Sequence, residues 1–456
     1  VADSVDVVVI GMGPGGEDLA GRLAQAGLDV VGVDVRLVGG ECPYYGCIPS
    51  KVIIRGANAL QEGRRIARLA GDATVRPDYA PVAERIRNEA TDNWDDKVAV
   101  ARFTGKGGRF IRGRGRITGP HTVTVTVNGT GEQVELTARR AIVLNTGTDP
   151  LVPDIPGLAG SPFWTNRDIL AIEKAPESLA VLGGGAIGSE LAQAFARFGT
   201  RVSIVGRAPR LLPYEEPESS ELIEAAFADD GIDVRVGVDV SSVSYDGRFS
   251  LELPGGPVDA EHLLVATGRR STVAQLGVDA LGLDPNARHV PTDEHLRIAD
   301  GVWAIGDITG KGAFTHMSMY QAAIAYRSIM GQPGQGAEYH AVPRVTFTDP
   351  EVGSVGLSED AARRQGLTVR VGKTPIPAST RGWIHRAEHG DFVKVVEDAD
   401  RGVLVGATAV GPMGGEVLSA LVVAVHGEVP TERLRGMLYA YPTFHRSIEV
   451  AVNALG

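Results

Sequence analysis

Short apolar runs closed by glycine-rich turns, each followed by a segment with helical spacing, recur along the chain as strand–turn–helix–strand units. The first reads Val5-Asp6-Val7-Val8-Val9-Ile10, then Gly11-Met12-Gly13-Pro14-Gly15-Gly16, a helical stretch to Ala26, Gly27, and a strand over Leu28–Val33 that ends at Asp34. The second reads Leu179-Ala180-Val181-Leu182, then Gly183-Gly184-Gly185-Ala186-Ile187-Gly188, a helix to Phe198, Gly199, and a strand over Thr200–Val205. Matching period and punctuation make the two an internal repeat. Strands alternating with helices in this way predict an α/β fold with parallel sheets.

Each repeat carries G-x-G-x-x-G between strand and helix. Gly11 and Gly183 suit a tight turn, Gly13 and Gly185 the close approach of backbone to a pyrophosphate, and Gly16 and Gly188 the packing of helix on strand. Two Rossmann-like dinucleotide-binding domains follow. They differ where the ribose is read. Counting 23 residues from the first glycine reaches Asp34 in the first unit, a carboxylate suited to accept hydrogen bonds from a ribose diol. The same count in the second reaches Gly206, followed by Arg207 and Arg210. A guanidinium there can fork onto a 2′-phosphate, so NADPH is expected in preference to NADH.

Composition narrows the partners. Lys+Arg 45 against Asp+Glu 56 gives a net charge of -11, which disfavours nucleic acid and anionic membrane surfaces. The basic cluster Arg102–Arg116 lies among glycines and alternating β-type residues and reads as a solvated sheet edge. The longest apolar run, Leu418–Val425, falls short of the roughly 20 residues of a spanning helix. No cationic leader precedes Val1, so a soluble cytoplasmic protein is expected. The length of 456 residues suggests several domains. Histidines such as His316 lack ligand spacing, and no metal is expected.

Cys42 and Cys47 are the only cysteines, in Gly39-Gly40-Glu41-Cys42-Pro43-Tyr44-Tyr45-Gly46-Cys47-Ile48-Pro49-Ser50-Lys51. One close pair beside a βαβ unit reads as a working dithiol and not a disulfide framework. A thiolate is favoured by a helix N-terminus and a nearby cation. Pro49 favours a helix start just after Cys47, which puts Lys51 one turn on along the same face. Tyr44 and Tyr45 are placed to stack on an aromatic acceptor or to pack the loop.

The order G-x-G-x-x-G, C-x4-C-x3-K, a second G-x-G-x-x-G-x-E, Ala266-Thr267-Gly268-Arg269 and Trp303-Ala304-Ile305-Gly306-Asp307 closely resembles the flavoprotein disulfide reductases. Dihydrolipoamide dehydrogenase, glutathione reductase and mercuric reductase belong to that family. The resemblance runs from Val5 to Ala451. It implies FAD on the first unit, with Asp34, Gly147 and Asp307 beside it, and the nicotinamide cofactor on the second, with Gly268. It implies a Lys51–Glu190 ion pair behind the flavin, Cys47 facing the ring and Cys42 exchanging with substrate. Electrons would pass from NADPH through FAD to the cysteines and on to a small-molecule acceptor. An α+β dimerisation domain opening near Val342, and hence a homodimer, completes the expected architecture. The expected domains are FAD-binding over 1–149 and 271–336, NAD(P)H-binding over 150–270 and interface over 337–456.

One stretch departs from the family. Its closing His-Pro-Thr-x-x-Glu is here Tyr441-Pro442-Thr443-Phe444-His445-Arg446, so the usual acid–base pair is missing. A phenol with an ordinary pKa near ~10 donates a proton but makes a poor resting base. Tyr441 at the disulfide, His445 as a relay, or water are the expected proton sources. A small disulfide or quinone-like molecule is the expected acceptor. Dihydrolipoyl dehydrogenase, a mercuric-type reductase and a flavin-binding redox sensor with little turnover are the alternatives. Mercury reduction is disfavoured because the sequence closes on Asn453-Ala454-Leu455-Gly456 without a second cysteine pair.

Overall fold

The computed structural model describes residues 3–387 and 390–455; Val1 and Gly456, which bound the expected first and last domains, lie outside them. The chain forms two compact units. One gathers the residues up to Ser50 with Ala83–Leu151 and Arg269–Glu338; the other gathers Lys51–Val82, Val152–Gly268 and the residues from Tyr339 on.

In the first unit, strand Asp3–Ile10 lies between Val30–Asp34 and Gln133–Leu144, parallel to both. Two long strands are shared between layers. Arg109–Gly119 pairs through its first half with Val30–Asp34 and through its second with Thr122–Val127, which in turn pairs with the first half of Gln133–Leu144. Both faces of the parallel strands are covered, which explains the unbroken apolar run. Val7 and Val9 pack with Leu19 and Leu23 of helix Pro14–Gln25 and with Ala322 and Ala325 of helix Thr315–Ile329. Val5, Val8 and Ile10 pack on the opposite layer with Leu136, Ile142 and Leu276. Burying each such side chain contributes about 1.5–3 kcal/mol. The arginines of the basic cluster are paired: Arg102 with Glu17, Arg109 with Asp3 and Asp29, Arg112 with Asp96.

In the second unit, Ser178–Leu182, Arg201–Gly206, Asp233–Val236 and His262–Val265 form a four-stranded parallel sheet. A three-stranded antiparallel meander, Ser242–Tyr245, Phe249–Glu252 and Val258–Ala260, follows. The residues from Tyr339 on build a five-stranded antiparallel sheet covered by helix Gly414–His426, whose Val417, Leu418 and Leu421 pack on Val355, Ala407 and Ala409. Among the described residues, no helix is long and apolar enough to cross a membrane.

A buried ion cluster ties these parts of the second unit together. Lys394, 4% exposed, sits 3.0 Å from each of Glu216, Glu218 and Glu359. The three carboxylates outweigh desolvation and hold the ammonium well above the ordinary lysine range. Glu359 is held low chiefly by its bond to Lys394; Glu218 is also held low, its bonds to its own amide and to Lys394 outweighing burial. Carboxyls depressed in the folded state stabilise it above the unfolded glutamate value and lose that contribution as pH falls through the folded one. Thermal unfolding should therefore show a falling melting temperature as pH drops below the ordinary glutamate value of 4.5. Lys394→Met, which strands buried carboxylates, should cost about 3–5 kcal/mol in urea unfolding at neutral pH.

Candidate functional site

Two of the glycines in each repeat are demanded by the protein itself. At Gly11 (φ +98) and Gly183 (φ +119) an added Cβ would fall 2.3 Å from a carbonyl of the neighbouring strand end, Asn145 O and Ala266 O. At Gly16 and Gly188 it would fall 2.1 and 2.0 Å from the carbonyls of Gly11 and Gly183. The middle glycines are different. A Cβ at Gly13 would meet only Asn145 Nδ2 at 3.3 Å, and one at Gly185 would meet nothing within 4 Å. Internal packing therefore does not require Gly13 or Gly185. Both are the N-caps of a helix, which begins at Pro14 and at Ala186, and a helix N-terminus suits an anion.

The first unit surrounds this turn with polar groups that fit FAD. Asp34 accepts hydrogen bonds from the amides of Met12 and Arg36, each at 2.7 Å. Burial pushes its carboxyl up, and those amides with Arg112 and Arg36 pull it partly back. Asp307 is raised by burial too, against Arg269 and the Thr148 hydroxyl, which donates to it at 2.9 Å. Arg269 in turn donates to Thr148 Oγ1 at 2.7 Å. Thr146 Oγ1, between Asn145 and Gly147, is buried with no partner, and Gly147 (φ +65) faces open space. An unsatisfied hydroxyl beside an uncrowded glycine turn is what a bound dinucleotide would complete.

In the second unit the two arginines separate. Arg207 is exposed, 3.3 Å from Asp239. Arg210, expected as a second phosphate ligand, is turned away: it donates to Ser220 Oγ at 2.7 Å and to the carbonyls of Pro213 and Glu215 at 3.0 and 2.9 Å. Closing that loop occupies its fork, so only Arg207 of the pair is left at the turn. Gly268 (φ +122) ends the segment Val152–Gly268 of the same unit with open space beside it.

Cys42 lies in the short helix Glu41–Tyr45, and Cys47 opens the long helix Cys47–Leu69. Cys47 Sγ is 3.3 Å from Thr315 Oγ1, the first residue of helix Thr315–Ile329. Nothing in the local sequence marks Thr315, and the neighbouring His316 ring stacks on Phe314 at 5.0 Å. In the second unit, Lys51 Nζ is 2.8 Å from Glu190 Oε2, and Glu190, 6% exposed, also accepts from the Phe347 amide at 2.9 Å. Lys51 Nζ also lies 4.6 Å from the Phe347 ring centroid.

Tyr441 is exposed, and its hydroxyl donates to Thr380 Oγ1 at 3.1 Å. The group stacked on its ring is Arg446, 5.5 Å from the centroid. Arg446 is fixed by the Tyr439 carbonyl at 3.2 Å and Glu449 at 3.1 Å. His445 packs instead towards the Tyr439 ring, 6.2 Å between centroids. Tyrosine and arginine thus form a pair at the positions where the family pattern has histidine and glutamate.

Residues 5–325 match the family described as pyridine nucleotide-disulphide oxidoreductase, and residues 342–452 match its dimerisation domain. A dihydrolipoyl dehydrogenase of Halobacterium salinarum is 33% identical, covering 100% of this chain and 97% of its own. A mercuric reductase of Acidithiobacillus ferrooxidans is 32% identical over 98% of this chain and 82% of its own. The solved HOCl-induced flavoprotein disulfide reductase RclA from Escherichia coli superposes with a TM-score of 0.85 at 26% identity, covering 98% of this chain and 99% of that one.

The glycine geometry separates ligand binding from folding. Gly13→Ala and Gly185→Ala should leave the apoprotein's melting temperature within a few degrees while weakening flavin and nicotinamide cofactor binding, respectively. Gly11→Ala should cost at least about 2 kcal/mol of apoprotein stability, as forced overpacking does. Thr315→Val, which removes the hydroxyl partner of Cys47 Sγ, should slow iodoacetamide modification of Cys47 about tenfold in a Cys42→Ser background.

Proposed function

The chain belongs to the pyridine nucleotide-disulphide oxidoreductases, and from that premise we propose an NAD(P)H-dependent reductase that delivers electrons through Cys42 and Cys47 to a small disulfide or quinone-like acceptor. The observation that carries this reading is the cysteine pair at two successive helix starts, with Thr315 on Cys47 and the Gly13 turn in the same unit. FAD, when bound, supplies the two-electron connection between nicotinamide and sulfur. The residues of the chain do the rest. The Cys42 thiolate attacks one sulfur of an acceptor disulfide, expelling one thiolate and forming a mixed disulfide. The Cys47 thiolate then attacks the Cys42 sulfur, closing the Cys42–Cys47 disulfide and expelling the second. Two electrons leave the protein, and each departing thiolate takes a proton from solvent or from a donor such as Tyr441.

Lys51 and Glu190 act as a fixed charge pair that supports the flavin, as in the family pattern, and the residues from Tyr339 on support a homodimer in which Tyr441 serves the partner's cysteines. NADPH is preferred through Arg207 alone, because Arg210 is committed to its loop. A second reading, dihydrolipoyl dehydrogenase, is favoured by the 33% identical relative. The Tyr441–Arg446 pair stands against it, since oxidising a dithiol needs a resting base.

Anaerobic titration of the FAD-loaded protein with NADPH should raise the long-wavelength absorbance of a thiolate held against flavin; a reduced protein without that band has no dithiol relay. Cys42→Ser should retain FAD and lose disulfide turnover. Arg207→Ala should raise KM for NADPH about tenfold, one lost charge-assisted fork, with KM for NADH unchanged.

A further inference from the structure

Beside Cys42, within the first unit, lies a cavity of about 370 Å³. Its apolar lining includes Val38, Tyr44 and Val98. Its charged lining is one-sided: Glu17, Glu89, Asp92 and Asp95 against a single cation, Arg102. Glu89 and Asp95 are paired with Arg85 and Lys97, which stand outside the lining.

Arg102, its side chain 54% exposed, is engaged by Glu17. Its Nε and Nη2 both bind Glu17 Oε1, at 2.7 and 2.6 Å. Glu17 projects from the first turn of helix Pro14–Gln25, and its side chain is 14% exposed. An incoming carboxylate would compete with Glu17 for that guanidinium while facing the remaining acids. The negative field reaches Tyr44. Burial, followed by Asp96, Glu17 and Asp95, raises its phenol above the ordinary range, against Arg102.

The wall that holds these acids is built. A π-helical turn, Ile86–Ala90, precedes three successive left-handed residues, Asp92, Asn93 and Trp94, at φ 48, 53 and 55. Such backbone persists only where its surroundings impose it. Here Trp94 Nε1 donates to Tyr44 O at 3.2 Å, and Asp96 accepts from the Val38 amide at 2.6 Å.

We propose that Glu17 is a specificity-determining residue: by engaging Arg102, it makes the cavity at Cys42 select uncharged apolar or aromatic acceptors over anionic ones. This rests on the proposed function only in taking Cys42 as the outlet sulfur. The charge selection itself can be read without turnover. In FAD-loaded Cys47→Ser protein, Cys42 is the one remaining thiol, and its alkylation by neutral iodoacetamide and anionic iodoacetate can be compared with that of a free cysteine. The preference for iodoacetamide should exceed the free-thiol ratio at least about fivefold, as a like-charge wall requires. Glu17→Gln should bring it below about twofold by speeding iodoacetate alone, since Arg102 is then unmasked. Arg102→Gln should strengthen the preference, and combining the two substitutions should restore the starting ratio.

A free-thiol ratio in the parent protein, or no response to Glu17→Gln, overturns the assignment. With both cysteines present, kcat/KM for the uncharged 4,4′-dithiodipyridine should exceed that for the dianionic 5,5′-dithiobis(2-nitrobenzoate) about tenfold or more. Selective alkylation with neither disulfide reduced would sink the relay and leave the charge selection standing. Equal turnover of both, with unselective alkylation, would do the reverse.

Discussion

At Gly11 the chain turns from a buried strand into a helix with Asn145 O lying where a side chain would begin, 2.3 Å from an ideal Cβ. That close approach, open only to glycine at φ +98, lets the first strand run into its turn hard against the end of Gln133–Leu144, with which it pairs. Asp34 reaches back to the Met12 amide and ties the second strand to the same turn. The segment leading to the cysteines is anchored there too: the Gly39 amide donates to Met12 O at 2.7 Å, and a Cβ on Gly40 would fall 2.8 Å from Gly13 Cα. The dithiol segment is therefore positioned by the turn that frames the first dinucleotide site. In open α/β sheets, ligands gather at this edge for the same reason.

The second repeat uses the same clash, Gly183 against Ala266 O, but leaves its second strand end without an acid. Its ribose end is open, and Arg207 is exposed beside it. One backbone device thus recurs in both units, and the two differ at the position after the second strand, Asp34 in one and Gly206 in the other.

Most of this architecture was legible in the chain because it depends on local chemistry. Glycine punctuation located both turns, and the helix ends fall at Gln25 and Arg197, with Gly27 (φ +88) and Gly199 (φ +97) beyond them. What could not be read were contacts between distant segments. Thr315 meets Cys47 across 268 positions of sequence, and nothing local marks its hydroxyl. Arg210 had the right residue type at the right offset, yet the turn through Pro213 and Glu215 captured it. His445 offered an imidazole one position before, but Arg446, not His445, lies over the Tyr441 ring, just before the helix Ser447–Asn453. Side-chain direction at a helix start is decided by tertiary packing that periodicity does not report.

The missing histidine and the screened arginine bear on the same question. A disulfide breaks more easily as the departing thiol becomes more acidic, because its thiolate needs no proton to leave. Aromatic and electron-poor thiols leave in this way, whereas an alkyl thiolate benefits from a general acid held beside it. The phenol of Tyr441, with Arg446 on its ring, can donate a hydrogen bond but is poorly suited to cycle as acid and base. A wall of Val38, Tyr44 and Val98, with its one cation engaged by Glu17, suits an uncharged aromatic body. Acceptors that need no proton to depart and acceptors that fit this cavity are thus the same class. On the proposed function, tyrosine in place of histidine favours such molecules at the outlet, and Tyr441 and Glu17 together constrain the acceptor proposed for Cys42.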